Sequence, residues 1–99
     1  MKEFVLINSD NGFIVEEVDA RSCKYCSTAF IYKDEDNIYY LVDKETGLAI
    51  TRCKQLKGLE NMFWLKKKQY DSFRITDSYK IKVERFEKMK VTHNMKGKK

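Results

Sequence analysis

The apolar residues at the start of the chain fall into two short runs on either side of a polar turn. Residues 4–7 and 12–18 are rich in β-branched and aromatic side chains, and Asn11-Gly12 lies between them. Because Asn-Gly readily adopts the positive φ angles of tight turns, this dipeptide between two apolar runs indicates a hairpin. The sequence therefore predicts two antiparallel strands at the N-terminus.

Three more short apolar runs follow, over residues 27–33, 38–42 and 48–51, and polar turns separate them. Gly47 supplies a residue that accepts a positive φ in the second of these turns. The pattern predicts an antiparallel meander. Period-2 spacing further predicts that one face of its last two strands covers a core. That face consists of Ile38, Tyr40, Val42, Leu48 and Ile50.

The apolar spacing changes to that of a helix between residues 54 and 70. The stripe consists of Leu56, Leu59, Met62, Phe63 and Tyr70. One helix is the best interpretation, although Gly58 lowers its stability by about 1 kcal/mol relative to alanine. A strand over residues 62–65 remains an alternative. Lys66, Lys67 and Lys68 suit a helix C-terminus, where cations complement the negative end of the helix dipole.

The last apolar pattern is the alternation Tyr79-Lys80-Ile81-Lys82-Val83, which predicts a half-buried strand at a sheet edge. After Met89 apolar residues become rare. We therefore expect an α+β fold, with an antiparallel sheet of about five or six strands and one main helix packed on a face. Residues 1–92 form this single domain, and residues 93–99 form a basic, mobile tail.

The composition fits one folded domain with a basic surface. The chain has 99 residues, of which 42% are hydrophobic and 35% charged, and its formal net charge is +5. Such a charge favours polyanions or acidic protein surfaces as partners. Specific reading of bases gains most from arginine, however, and the arginines are only Arg21, Arg52, Arg74 and Arg85.

The cellular location follows from two absences in the sequence. There is no run of about 18 apolar residues for a membrane span, and the first apolar run is too short for a signal peptide. We expect a cytoplasmic protein that does not bind membranes and keeps its three cysteines reduced.

The candidate chemistry centres on Cys23 and Cys26, whose C-x-x-C spacing suits zinc or a redox dithiol. A structural zinc site needs four ligands, and the remaining candidates, Cys53 and His93, match no zinc-finger spacing. We expect ordinary reduced cysteines, no metal and no cofactor, with zinc and redox chemistry as alternatives. Because His93 is the only histidine and lies in the lysine-rich terminus, a catalytic triad is not expected, and the protein is predicted not to be an enzyme.

Two sets of residues are candidates for binding a partner. Residues 62–65 are four consecutive large apolar residues that cannot all face one core from a single helix. Phe63 and Trp64 are therefore predicted to anchor a protein partner, and Lys66, Lys67 and Lys68 to steer its approach. Burial of this segment on two sides is the alternative. The second set would bind nucleic acid through phosphate contacts, and it consists of Lys80, Lys82, Arg85 and Lys88.

Residues 39–50 followed by 54–59 resemble the hairpin-then-helix unit of small phage-encoded accessory proteins. With its short length and a composition typical of AT-rich coding sequences, the chain resembles phage or mobile-element proteins that block one host machine, including anti-CRISPR-type inhibitors. The resemblance implies a non-enzymatic inhibitor that binds a host defence or nucleic-acid-processing machine stoichiometrically. Because many such inhibitors are acidic DNA mimics and this chain is basic, the implied partner is an acidic protein surface or a nucleoprotein complex. A basic nucleic-acid-binding protein is the alternative.

Overall fold

The computed structural model describes the backbone of residues 1–10, 12–24 and 26–97, and the side chains of these residues apart from 63, 64 and 94–97. This part of the chain contains six strands and two helices, so the α+β class is confirmed. The elements are β1 (Lys2–Ser9), β2 (Gly12–Asp19), β3 (Arg21–Ser22), β4 (Ala29–Lys33), β5 (Tyr39–Asp43), β6 (Ala49–Cys53), α1 (Leu56–Arg74) and α2 (Asp77–Gly97).

The prediction of one sheet with one main helix is wrong in detail. The strands form two antiparallel sheets, a two-stranded sheet β1-β2 and a four-stranded sheet in the order β3-β4-β5-β6. The predicted N-terminal hairpin is confirmed, since β1 pairs with β2 from Lys2 opposite Asp19 to Ser9 opposite Gly12. The Leu6 amide donates a hydrogen bond of 2.8 Å to the Gly47 carbonyl, which attaches this hairpin to the turn between β5 and β6.

The four-stranded sheet is covered on both faces, which is the physical reason for two sheets instead of one. On one face Phe30 and Val42 pack with Val5 of the hairpin, and all three are at most 2% exposed. On the other face Ile31 and Leu41 pack with Leu59 of α1. A sheet that is covered on both faces removes more apolar surface from water than a larger single sheet with one face exposed to solvent.

The predicted single face for Val42 and Ile50 is also wrong. The pairing of β5 with β6 shifts between Leu41 and Val42, because Leu41 lies opposite Thr51 and Val42 lies opposite Ala49. Such a bulge changes which face the following side chains occupy. Ile50 therefore packs with the α1 side of the sheet, whereas Val42 packs with the hairpin side.

The first helix is longer than predicted. It runs from Leu56 to Arg74, so residues 62–65 are helical and the strand alternative is wrong. Lys66, Lys67 and Lys68 lie in the middle of α1, and Arg74 is the basic residue of its last turn. The prediction that these lysines mark a helix C-terminus is therefore wrong.

The predicted edge strand at residues 79–83 is wrong, because these residues form the first turns of α2. Tyr79 and Phe86 are 5% and 1% exposed, and Val83 between them is half-buried. This spacing of three and four residues is that of a helix face. The Thr76 hydroxyl accepts a hydrogen bond of 3.3 Å from the Tyr79 amide and so caps the start of α2.

The second helix lies against β2, α1 and the turn that contains Gly47. Near its C-terminal end the His93 ring meets Phe4 of β1 edge-on, with centroids 5.5 Å apart. Residues 93–97 of the predicted tail are therefore helical in the backbone, residues 98 and 99 lie outside the described part, and mobility of the tail stays a prediction. Within the described residues, neither helix is long and apolar enough to cross a membrane.

Candidate functional site

The charges of the molecule are separated between its strands and its helices. Residues 1–55, which include all six strands, carry seven lysines and arginines and ten aspartates and glutamates. Residues 56–99, which include both helices, carry 13 basic and five acidic residues. We refer to residues 56–97 as the helical half. Charge asymmetry of this kind points to a polyanionic or acidic partner for the basic half.

The predicted protein-binding residues all lie on α1. The side chains of Phe63 and Trp64 lie outside the described residues, so their role as anchors stays a prediction. Lys66 and Lys67 are half-buried, and Lys68 is exposed. The Lys67 ammonium donates a hydrogen bond of 2.7 Å to Asp71, which raises the pKa of Lys67 and offsets its charge.

The solvent-facing stripe of α1 is bordered by one exposed acidic residue, Asp71, which forms an ion pair with Lys67. The members of the stripe recur every three or four positions and are exposed, and we refer to them as the α1 face. The α1 face consists of Lys57, Asn61, Leu65, Lys68 and Ser72. Leu65 at its centre is 75% exposed, and among the other large apolar side chains Ile75 and Ile81 are 86% and 60% exposed. The exposure of Leu65 agrees with the prediction that the four apolar residues 62–65 cannot all face one core, whereas Lys57, Asn61 and Ser72 were not predicted to belong to the surface.

The predicted nucleic-acid-binding residues are all exposed on α2. At about 100° per residue, Lys80, Arg85 and Lys88 share the outer side of the helix, whereas Lys82 lies on its flank. Glu84 and Glu87 alternate with them along the helix, and Glu87 forms an ion pair of 3.0 Å with Lys90. The structure therefore brings three of the four residues together, on a surface of mixed charge.

A buried polar cluster joins both helices to the sheet. Asp43 and Thr46 are at most 1% exposed, and the Asp43 carboxylate accepts hydrogen bonds from Thr46 at 2.9 Å and Tyr79 at 3.0 Å. The Tyr70 hydroxyl also donates to this carboxylate. We refer to these four residues as the Asp43 cluster. Tyr70 belongs to α1 and Tyr79 to α2, so one carboxylate connects both helices to the end of β5.

The electrostatics of the Asp43 cluster keep both tyrosines protonated. Burial raises the pKa of Tyr70 and Tyr79 above the ordinary value of 10.0, and the neighbouring Asp43 carboxylate raises both further. Two neutral hydroxyl donors on one carboxylate suit a structural connection, because neither is ready to act as a base at neutral pH. The sequence analysis placed Asp43 in a turn and gave no signal for its burial.

The Asp43 cluster extends to the surface through charged groups. The Tyr79 hydroxyl shares its proton between Asp43 and Glu45, whose carboxylate is 3.1 Å away, and Glu45 forms an ion pair of 2.7 Å with Arg74. Arg74 donates a second hydrogen bond of 3.1 Å to the hydroxyl of Thr28. These contacts hold the C-terminal turn of α1 against the strand layer and so fix the direction in which the α1 face points.

The cysteines line the core beneath α1. Cys23, Cys26 and Cys53 have free thiols and pack against the buried cluster that contains Leu59. The Cys26 thiol lies 3.0 Å from the Thr28 hydroxyl. Among the described residues, no group of three or more histidine, cysteine, aspartate or glutamate side chains could hold a metal ion.

Comparison with known proteins does not add a candidate site. No family model, curated protein or solved structure matches this chain.

Proposed function

We propose that this protein is a small non-enzymatic inhibitor, encoded by a phage or another mobile element. In this proposal it binds one protein of a host defence or nucleic-acid-processing machine stoichiometrically, with the α1 face as its contact surface. The observation that carries the proposal is the α1 face itself, where an exposed leucine lies among lysines and uncharged polar residues, and where the bordering Asp71 is already paired with Lys67.

The composition of the α1 face favours a protein partner over nucleic acid. Leu65 is large, apolar and 75% exposed at its centre. Burying it on a partner would gain about 1.5–3 kcal/mol, whereas a phosphate backbone offers no apolar surface of that kind. Lys57 and Lys68 flank it and suit acidic residues at the rim of an interface, where charges mainly speed association and select partners.

Inhibition would follow from occlusion rather than from chemistry. The predicted anchors Phe63 and Trp64 belong to the same helix as Leu65, and aromatic anchors commonly dominate interface energy. The Asp43 cluster and the Arg74 contacts hold α1 rigidly on the sheet, so little conformational entropy is lost when a partner binds. The proposal places the protein in the cytoplasm, where free thiols such as those of Cys23 and Cys26 are the ordinary state.

The test is affinity capture from bacterial lysate, with and without nuclease, read by mass spectrometry. We expect one host protein to be retained after nuclease treatment. Leu65→Gln keeps good helix propensity and should reduce this retention at least tenfold. Ile75→Gln is the matched control, because Ile75 is 86% exposed but lies between the helices and outside the α1 face. Equal retention by the two variants would contradict the proposal.

Nucleic-acid binding is the second candidate, favoured by the excess of basic residues in the helical half. The exposed residues that would contact phosphates are Lys80, Lys82, Arg85 and Lys88. Fluorescence anisotropy with a labelled DNA or RNA duplex would then show affinity that falls steeply with salt, because phosphate contacts release counterions. Neutralising all four residues should abolish that binding. Retention of proteins only in the absence of nuclease would favour this second candidate over the first.

A further inference from the structure

A cavity of about 120 Å³ opens between β3 and the first turns of α1. Its apolar lining comes from Ile31, Leu41, Leu56 and Leu59. Three of these side chains also belong to the main core cluster beneath α1. An apolar cavity of about 150 Å³ is known to hold one benzene ring. The space beside α1 therefore matches a single aromatic ring or a branched chain of about six carbons.

The charged residues that line the cavity sum to a positive charge. Lys24 and Glu60 both line it and form an ion pair of 3.9 Å, so their charges largely offset. Arg21 also lines the cavity, is exposed and forms no ion pair with the described residues. The lining of this apolar cavity therefore carries one net positive charge, that of Arg21.

The start of α1 adds to this preference for an anion. Leu56, the first residue of α1, lines the cavity, and the first turn contains no acidic side chain. The N-cap residue Gln55 makes no side-chain hydrogen bond to the helix. The positive end of the α1 dipole is thus not offset by a carboxylate in the first turn of the helix.

We propose that this cavity is a binding site for a small carboxylate that carries one apolar ring or branched chain. The apolar group would occupy the space lined by Ile31, Leu41 and Leu59, and the carboxylate would meet the Arg21 guanidinium at the mouth. The proposal does not rest on the α1 face or on any protein partner. A free organic acid and the C-terminal carboxylate of a peptide share this chemistry.

The experiment is a titration of the ¹⁵N-labelled protein with benzoate, followed by amide chemical shifts. We expect saturable shifts for Ile31, Leu41 and Leu59, with a Kd in the millimolar range that suits so small a ligand. Benzyl alcohol, which has the ring without the charge, should bind at least fivefold more weakly. The absence of saturable shifts at these residues, or equal binding of benzyl alcohol, would overturn the proposal.

The role of Arg21 has its own matched pair of variants. Arg21→Gln removes the charge at the mouth and should weaken benzoate binding at least fivefold. Arg85→Gln removes an exposed arginine of α2 that does not line the cavity, and should leave the affinity unchanged. Equal affinity in the two variants would contradict a carboxylate contact at Arg21.

A parallel titration with a short peptide ending in phenylalanine distinguishes the two sources of the carboxylate. Tighter binding of benzoate supports a free acid, and tighter binding of the peptide supports a chain terminus. Because both titrations use the isolated protein, their failure is distinguishable from failure of the proposed inhibitory function, which is measured by capture of a partner.

Discussion

At the scale of single residues, Asp43 determines how the helices are joined to the sheet. Its carboxylate accepts hydrogen bonds from Thr46 and from one tyrosine of each helix. A buried carboxylate that is fully hydrogen-bonded is tolerated, whereas buried hydroxyls left without an acceptor are costly. The orientation of the α1 face therefore depends on a residue that does not belong to that face.

Removing the Asp43 carboxylate should destabilise the fold. We expect Asp43→Ala to lower the free energy of unfolding by about 1–3 kcal/mol, because buried hydroxyl donors lose their shared acceptor. Urea denaturation measures the change. Asp36→Ala, at an exposed position in the β4–β5 turn, is the control and should change stability by less than about 0.5 kcal/mol. Equal effects of the two variants would show that the Asp43 cluster is not a structural connection.

The raised pKa values of Tyr70 and Tyr79 predict sensitivity to alkali. Unfolded tyrosines lose their protons near pH 10, whereas folded Tyr70 and Tyr79 keep theirs to higher pH. The stabilisation is therefore fully present below about pH 10 and is lost as the pH rises toward the folded pKa values. Urea denaturation at pH 8, 10 and 11 should show that the free energy of unfolding falls with pH. The fall should be smaller in Tyr70→Phe. If the free energy of unfolding of Tyr70→Phe falls as steeply with pH as that of the unmodified protein, the raised pKa of Tyr70 is contradicted.

At the scale of elements, the hairpins were predicted correctly because their turns carry local signals, whereas the signals for α2 lie over a longer stretch than the five residues that predicted a strand. Tyr79 to Val83 alternates over five residues, which is too short a window to separate a strand from a helix. The longer spacing Tyr79, Val83, Phe86 follows a helix face, and Thr76 followed by Asp77 is a typical helix start. The two-faced burial of the central sheet was not predictable, because the bulge beside Val42 arises from tertiary packing.

The turn between β5 and β6 also positions α2. Gly47 has a φ of 67°, and a Cβ added there would overlap the ring of Phe86. Gly47→Ala should therefore cost about 2–5 kcal/mol, from left-handed strain and from overpacking. Gly12→Ala introduces the same backbone strain without a steric overlap, because nothing lies within 4 Å of its added Cβ. It should lower the free energy of unfolding by about 1–2 kcal/mol. Thermal or urea unfolding compares the two variants, and equal losses would contradict the close packing of α2 on this turn.

At the scale of the whole molecule, the separation of charge predicts oriented association with an acidic partner. The overall charge of +5 was evident from the composition, but its concentration in the helices became evident only once residues 77–97 proved to be a helix instead of an edge strand. Lys68→Glu on the α1 face should slow association with the captured partner about three- to tenfold at low salt. Lys33→Glu makes the same charge change on β4 and should have a smaller effect. Stopped-flow rates at two salt concentrations test both, and the difference should shrink at high salt.

The most direct test of the central claim is a hydrogen-exchange footprint of the protein bound to the partner that it captures. Exchange of backbone amides would be measured in the free and bound protein and mapped on peptides from each element. We expect slower exchange in the bound state within residues 56–74, with no change in residues 2–19. Protection confined to the hairpin β1-β2, with α1 unchanged, would contradict the central claim.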